Sequence, residues 1–104
     1  MKKRTIESIL DEIGIQPSID GYKYLIDSCL IYDKNRNISV TELYEKVGDK
    51  YNQKWTNIER PLRYLRSLYS KQIQKYFRFK FMPTNIDFII HLHKKALRRE
   101  ERTA

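Results

Sequence analysis

The sequence predicts an all-α domain of five to six helices with a helix-turn-helix and no substantial sheet. Three observations carry this. Apolar residues recur at helical rather than alternating spacing along most of the chain, as at Ile6, Ile9, Leu10 and Ile13. Boxes of the type Ser/Thr-x-x-acid open several of these stripes, at Ser39 and Glu42, Thr56 and Glu59, and Thr84 and Asp87. Only three glycines and three prolines punctuate 104 residues, which favours long helices over many short strands. This length suits a single domain, residues 1–104, with a modest core.

The first stripe, Ile6 to Ile13, predicts an amphipathic helix stopped by Gly14. Gln16-Pro17-Ser18 forms a turn, and Asp20 can cap a second helix with Tyr22, Leu25, Ile26, Cys29 and Leu30 inward. The polar run Asp33 to Asn37 ends it. Ser39 then opens a third helix with Val40, Leu43 and Tyr44 inward, and a short helix from Glu45 to Tyr51 follows. Gly48 within that stripe implies close packing against the next helix, although it lowers helix propensity. Asn52-Gln53-Lys54 supplies a turn before a helix from Thr56 to about Gln72, its start defined by the Thr56–Glu59 box. Beyond Pro83, Thr84 caps a last helix striped by Ile86, Ile89, Ile90, His93 and Leu97, which ends in a solvated charged tail.

Tyr76 to Phe81 departs from this pattern, because Phe77, Phe79 and Phe81 alternate with Arg78 and Lys80. Two readings stay open. The stretch is an extended connector, or an arm that packs its rings on the core and offers its cations to phosphate.

Composition narrows function. The formal net charge is +8, and the charge is segregated. From Lys54 to Lys80 the cations are Lys54, Arg60, Arg63, Arg66, Lys71, Lys75, Arg78 and Lys80, with Glu59 the sole acid; the acids concentrate in the first half. Such a division predicts one positive face suited to phosphate. The single cysteine, Cys29, excludes an internal disulfide, sits on an apolar stripe and reads as a core thiol. No signal-peptide core follows the basic N-terminus, and no apolar run approaches membrane-spanning length, so a cytoplasmic protein without membrane contact is expected.

No Gly-rich phosphate loop, Cys/His ligand set or nucleophile–base pair is present, so neither enzyme activity nor a metal or other cofactor is expected. His91 and His93 are two apart on a helix and diverge. Trp55 either wedges against a sugar-phosphate backbone or packs on the motif, the more ordinary use. Tyr22, Tyr44, Tyr51 and Tyr69 fit inward stripes.

The stretch Thr56 to Arg66 carries the sharpest functional signal. Ile58, Leu62 and Leu65 form its apolar stripe; Asn57, Glu59, Arg60, Arg63 and Arg66 occupy the rest. Asn, Glu and Arg at a helix's start are side chains able to pair with base edges in the major groove. With the helix before it across a short turn, this is a helix-turn-helix pattern that points to double-stranded DNA.

Six short segments stand out along the chain: Ile-x-x-Ile-Leu-x-Glu-Ile-Gly at 6–14, Gly-Tyr-x-Tyr-Leu at 21–25, Leu-Tyr at 43–44, Lys-Tyr-Asn at 50–52, Ile-Glu-Arg-x-Leu-Arg at 58–63 and Pro-Thr-Asn-x-x-Phe-Ile at 83–89. In their order, and nearly in their spacing, they resemble the C-terminal effector domain of the stage zero sporulation protein A family of response regulators. The resemblance implies a six-helix domain that recognises a box of TGTCGAA type and regulates transcription through RNA polymerase. By position it assigns base contact to Glu59 and Arg60, and base or backbone contact to Arg63. Arg paired with guanine and Glu with the cytosine amino group would suit a CG step.

The complete expectation places Asn57, Glu59, Arg60 and Arg63 on bases, and Lys54, Thr56, Arg66, Lys71, Arg78 and Lys80 on phosphates. It requires Glu59 and Arg60 to emerge side by side on an outward turn. A homodimer on tandem sites is compatible with it. Three departures from the family pattern stand out. Asn57 replaces an Arg, Pro61 occupies a usually helical position and predicts a kink or tightened first turn, and the stretch from Gln72 to Met82 is shorter than the family's polymerase-activating region. No receiver domain is expected within these residues. The competing readings are an RNA or single-strand binder stacking bases on Tyr64, Tyr76 and the Phe77–Phe81 arm, and a protein-docking adaptor.

Overall fold

The computed structural model describes residues 1–103. These residues fold into six helices: α1 (Lys3–Ile13), α2 (Gly21–Lys34), α3 (Val40–Tyr51), α4 (Thr56–Leu68), α5 (Ser70–Phe77) and α6 (Asn85–Thr103). Among the described residues none forms a strand. The all-α expectation holds, at its upper helix count.

α2 is the central post, packed against α1, α3, α4 and α6. Tyr22, Tyr24, Leu25, Ile26, Asp27, Ser28 and Cys29 are all buried, a run that leaves almost no polar face in its first two turns. Burial all round is what a core helix requires. α1 contributes Ile6, Ile9, Leu10 and Ile13, all at or near zero exposure. Gly14 then adopts φ 96°, and its N–H and that of Ile15 turn back to the Leu10 carbonyl, closing the helix with a left-handed cap. The ends of α1 and α6 are clasped by a bidentate Arg99–Glu12 pair, with N–O distances of 2.6 and 3.0 Å. That guanidinium holds the Glu12 carboxyl below its usual range.

Two of the three boxes form bonds of the expected kind. The Ser39 hydroxyl accepts from the Glu42 N–H at 3.1 Å, and Thr84 and Asp87 exchange side-chain-to-backbone bonds of 3.2 Å in both directions. The Thr56–Glu59 box does not form. Trp55 takes the cap position in helical conformation, and its carbonyl accepts from the Ile58 and Glu59 N–H groups, so Thr56 is already inside the helix. Asp20 likewise makes no side-chain cap, because its own backbone is helical.

Other boundaries also differ from expectation. α3 is one helix from Val40 to Tyr51 rather than two, and Val40 is exposed at its start. The helix expected to reach Gln72 stops at Leu68; Tyr69, at φ −104° and ψ 22°, separates α4 from α5. α5 in turn takes up Tyr76 and Phe77, which neither reading of that stretch anticipated. Phe77 and Phe79 pack on the core, whereas Phe81 is 82% exposed. On α6 the buried face is Phe88, Ile89, Leu92, His93 and Ala96, rotated from the expected stripe so that Ile86, Ile90 and Leu97 lie at its margin. The tail is helical through Thr103, and Glu100 accepts from the Lys2 N–H at 2.7 Å.

His91 and His93 diverge as expected. His93 is buried with Nε2 at 2.8 Å from Asp33, and His91 Nδ1 lies 2.8 Å from the Asp87 carbonyl. The Cys29 thiol is fully buried, which pushes its pKa far above the ordinary thiol range. Among the described residues, no helix is long and apolar enough to cross a membrane.

Candidate nucleic-acid interface

The unit formed by α3, its turn and α4 is set by two close approaches. Asn52 ends α3 in the left-handed region at φ 54°, which asparagine tolerates, and the Gln53 N–H returns to the Gly48 carbonyl at 2.8 Å. A Cβ on Gly48 would collide with the Gln53 carbonyl oxygen, so only glycine lets the turn fold this tightly. At the start of α2, a Cβ on Gly21 would sit 2.5 Å from the Pro61 carbonyl oxygen and 3.2 Å from Leu65 Cβ. These contacts hold α4 against the core by its backbone as well as by Ile58, Leu62 and Leu65, which are at most 3% exposed.

Pro61 is tolerated inside α4. It removes one helical N–H donor, and the helix continues unbroken to Leu68. The bond from the Ile58 N–H to Trp55 spans three residues, so the turn before the proline is tight.

At the far end of α3, the buried Asp27 of α2 accepts from Lys50 Nζ at 2.9 Å and from the Tyr51 hydroxyl. Burial first, and then this carboxylate, push the Tyr51 hydroxyl up to about 12. Lys50 and Tyr51 thus anchor α3 immediately before the turn. Nothing in the local stripe marks Asp27 for this role, because its partners lie 23 and 24 residues away.

The outward surface of α4 presents Asn57, Arg60, Arg63, Tyr64, Ser67 and Leu68. Arg60 lies beside Pro61 and Tyr64 on the rim of a cleft of about 470 Å³ that ends at Ser18 to Gly21. Among the described residues it forms no ion pair. Arg63 is 57% exposed at the side chain, its Nε 3.6 Å from Glu59 Oε1. Asn57 donates to Gln53 Oε1 at 3.0 Å.

Glu59 and Arg60 do not emerge side by side. One residue apart on a helix, they are about 100° apart around its axis at 3.6 residues per turn. Arg60 leans toward α2, while Glu59, 25% exposed at the side chain, borders a groove with Val40, Tyr44, Arg66 and Asn85.

The residues expected on phosphates divide. Lys54 is exposed in the turn, Lys71 on α5 and Lys80 after it. Arg78, also exposed, caps α5 at φ 59°. Thr56 is half-buried. Arg66 is committed elsewhere: its Nε donates to Asn85 Oδ1 at 2.7 Å and its Nη1 to the Pro83 carbonyl at 2.9 Å. Asn85 in turn donates to the Glu59 carbonyl at 3.5 Å. This bridge ties α4 to the start of α6, and Tyr44 lies beside it, its hydroxyl pushed above the usual phenol range chiefly by burial. Asn85 was visible in the sequence only as part of the Pro-Thr-Asn segment. Trp55 is 45% exposed at the start of α4.

The stacking platforms of the single-strand reading are largely closed. Tyr76 bonds Glu12 at 2.9 Å and meets Phe77 edge-on, and Phe77 and Phe79 both pack beside His91. Tyr64 and Phe81 remain open.

The surface just described occurs in a known family setting. The family model described as Sporulation initiation factor Spo0A C terminal matches residues 6–96, from the first buried residue of α1 to the last of α6. The chain therefore belongs to the family of C-terminal, DNA-binding effector domains of the sporulation response regulator Spo0A, whose function is transcription regulation.

Proposed function

We propose that residues 1–104 act as one sequence-specific, double-stranded DNA-binding unit that regulates transcription by binding rather than catalysis, with the first two turns of α4 in the major groove. The observation that carries this reading is the outward face of α4. Asn57, Arg60, Arg63 and Tyr64 are exposed on one rigid helix whose opposite side is fully buried. A guanidinium in this setting offers two donors to guanine O6 and N7. Glu59 reaches the bases beside Arg63, where it accepts from a cytosine amino group. Asn57, where the family carries an Arg, alters part of the readout.

Lys54, Thr56, Lys71, Arg78 and Lys80 meet phosphates and set register without reading sequence. Arg66 serves the fold first, through Asn85 and Pro83, and thereby fixes how α4 is presented. Family membership extends the reading to a cytoplasmic setting, to contact with RNA polymerase and to a second copy on tandem boxes.

The deciding measurement is the affinity of Arg60→Ala for a matched duplex, selected from a random pool at physiological salt, and for its scrambled counterpart. The variant should lose about 1–3 kcal/mol on the matched duplex, relax preference at one guanine, and keep its affinity for scrambled DNA within about twofold. Unchanged affinity for both, or tighter binding of unpaired strands than of duplex by the parent protein, would refute base reading by α4.

A further inference from the structure

The second half of α6 gathers cations that the reading face does not use. Lys94, Lys95, Arg98 and Arg102 are exposed there. Lys95 and Arg98 border two adjoining hollows. One, of about 410 Å³, runs past Arg78, His91 and Lys94; the other, of about 230 Å³, is continued by Arg99, Arg102 and Thr103. The row is continuous over two turns of helix. Of these side chains only Arg99 forms an ion pair among the described residues, with Glu12. Glu100 is taken by the Lys2 N–H, which leaves Glu101 as the one uncommitted acid on this half of the helix.

Local helix physics does not explain the row. Lys94 with Arg98, and Arg98 with Arg102, are like-charged pairs four apart, which repel. The helix dipole favours cations only in the last turn, so it accounts for Arg102 and not for Lys94, Lys95 or Arg98. A partner of opposite charge does account for it. The row is also remote from the base-reading surface. Asn85, which contacts α4, begins α6, and Arg98 lies about 20 Å further along the axis at 1.5 Å per residue.

We propose that Lys94, Lys95, Arg98 and Arg102 form a second DNA surface. It grips the phosphate backbone of duplex outside the segment read by α4, without regard to sequence. Duplex DNA fits better than the other polyanions for two reasons. None of the large exposed apolar side chains lies on α6, so the row lacks the apolar anchors that a lipid surface or an amphipathic acidic peptide would need. The cations recur at about one helical turn, 5.4 Å, along a rigid rod, which matches a partner of dense, regular charge. The surface needs no base reading of its own, so it stands or falls separately from the assignment of Arg60.

The test compares the parent chain with the fourfold variant Lys94→Gln, Lys95→Gln, Arg98→Gln, Arg102→Gln. Binding is measured on a box-only duplex of about one helical turn, roughly 11 base pairs, and on box-containing and scrambled duplexes about four times as long. On both long duplexes the slope of log affinity against log salt should flatten by about three to four units. Affinity for the short duplex, and the preference for box over scrambled sequence, should stay within about twofold. The charge-keeping variant Lys94→Arg, Lys95→Arg, Arg98→Lys, Arg102→Lys should behave as the parent, and the double variant Lys94→Gln, Lys95→Gln should flatten the slope by about two units. The proposal is overturned by an unchanged slope on long duplexes, by equal loss on short and long, or by loss in the charge-keeping variant. If Arg60→Ala fails to alter sequence preference while these shifts appear, the α4 assignment falls and this surface stands.

Discussion

Arg60 and Arg66 stand six residues apart on α4 and meet opposite surroundings. Arg60 projects from the flank facing the start of α2, exposed and without an ion pair among the described residues. Arg66 is half-buried on the flank facing α6, with two donors fixed at 2.7 and 2.9 Å. The same residue type therefore meets two environments on one helix. The side that meets α2, α3 and α6 holds the helix in place, and the side that meets solvent stays open. Position around the axis decides which of the cations counted along the chain stay open to solvent.

The comparison breaks most visibly at Leu65. It is fully buried and its Cβ packs against Gly21. Leu65→Ala should cost about 2–5 kcal/mol of stability through lost burial and the cavity left behind. In a domain of this size each kcal/mol moves Tm by about 4–8 °C. A thermal melt shifted by less than about 4 °C would show that this flank does not hold α4.

The next effect separates two roles for Arg66. Arg66→Ala leaves Asn85 Oδ1 and the Pro83 carbonyl without these donors, which should cost about 1–3 kcal/mol in chemical unfolding. The salt slope of DNA binding should stay where it was. A slope flattened by about one unit with stability unchanged would instead put Arg66 on a phosphate and merge the two flanks.

How much of this the sequence revealed depends on the range of the interaction concerned. The α1 stripe and its Gly14 stop were legible because helical period and a left-handed cap are local properties. So were the Ser39 and Thr84 boxes. The end of α4 was not. Leu65, Tyr69 and Ile73 continue one stripe at spacings of four, with no glycine or proline to mark a break, and the partner Tyr69 meets there, the Gln16 N–H that donates to its hydroxyl at 3.2 Å, lies 53 residues away. The α6 stripe was misphased for a related reason. Ile86, Ile90 and Leu97 sit beside Phe88, Leu92 and Ala96, so two neighbouring apolar faces compete, and only the helices around α6 select one. The outward face of α4 was readable from Ile58, Leu62 and Leu65, since burying one stripe exposes the other. The fate of Arg66 was not readable. Its partners lie 17 and 19 residues away, beyond the reach of any local pattern.

The smallest effect tests whether the inner flank is sealed from water. Tyr44 is 5% exposed, and burial is the main reason its hydroxyl titrates above the ordinary phenol range; Glu59 adds to this, while Asn85 and Arg66 work against it. A raised pKa in the folded state has a definite consequence. Below about pH 10, tyrosine is protonated in both folded and unfolded chains, and the contribution of Tyr44 to stability is complete. Above that, the unfolded chain loses the proton first, so the folded chain binds more protons and stability falls as pH rises. Urea unfolding at pH 8 and again near pH 11 should therefore show a loss that is shallower in Tyr44→Phe than in the parent, since the variant has no hydroxyl to deprotonate at this position. Parallel losses would mean that water already reaches Tyr44. The groove it shares with Glu59, Arg66 and Asn85 would then be an open surface like the flank that carries Arg60.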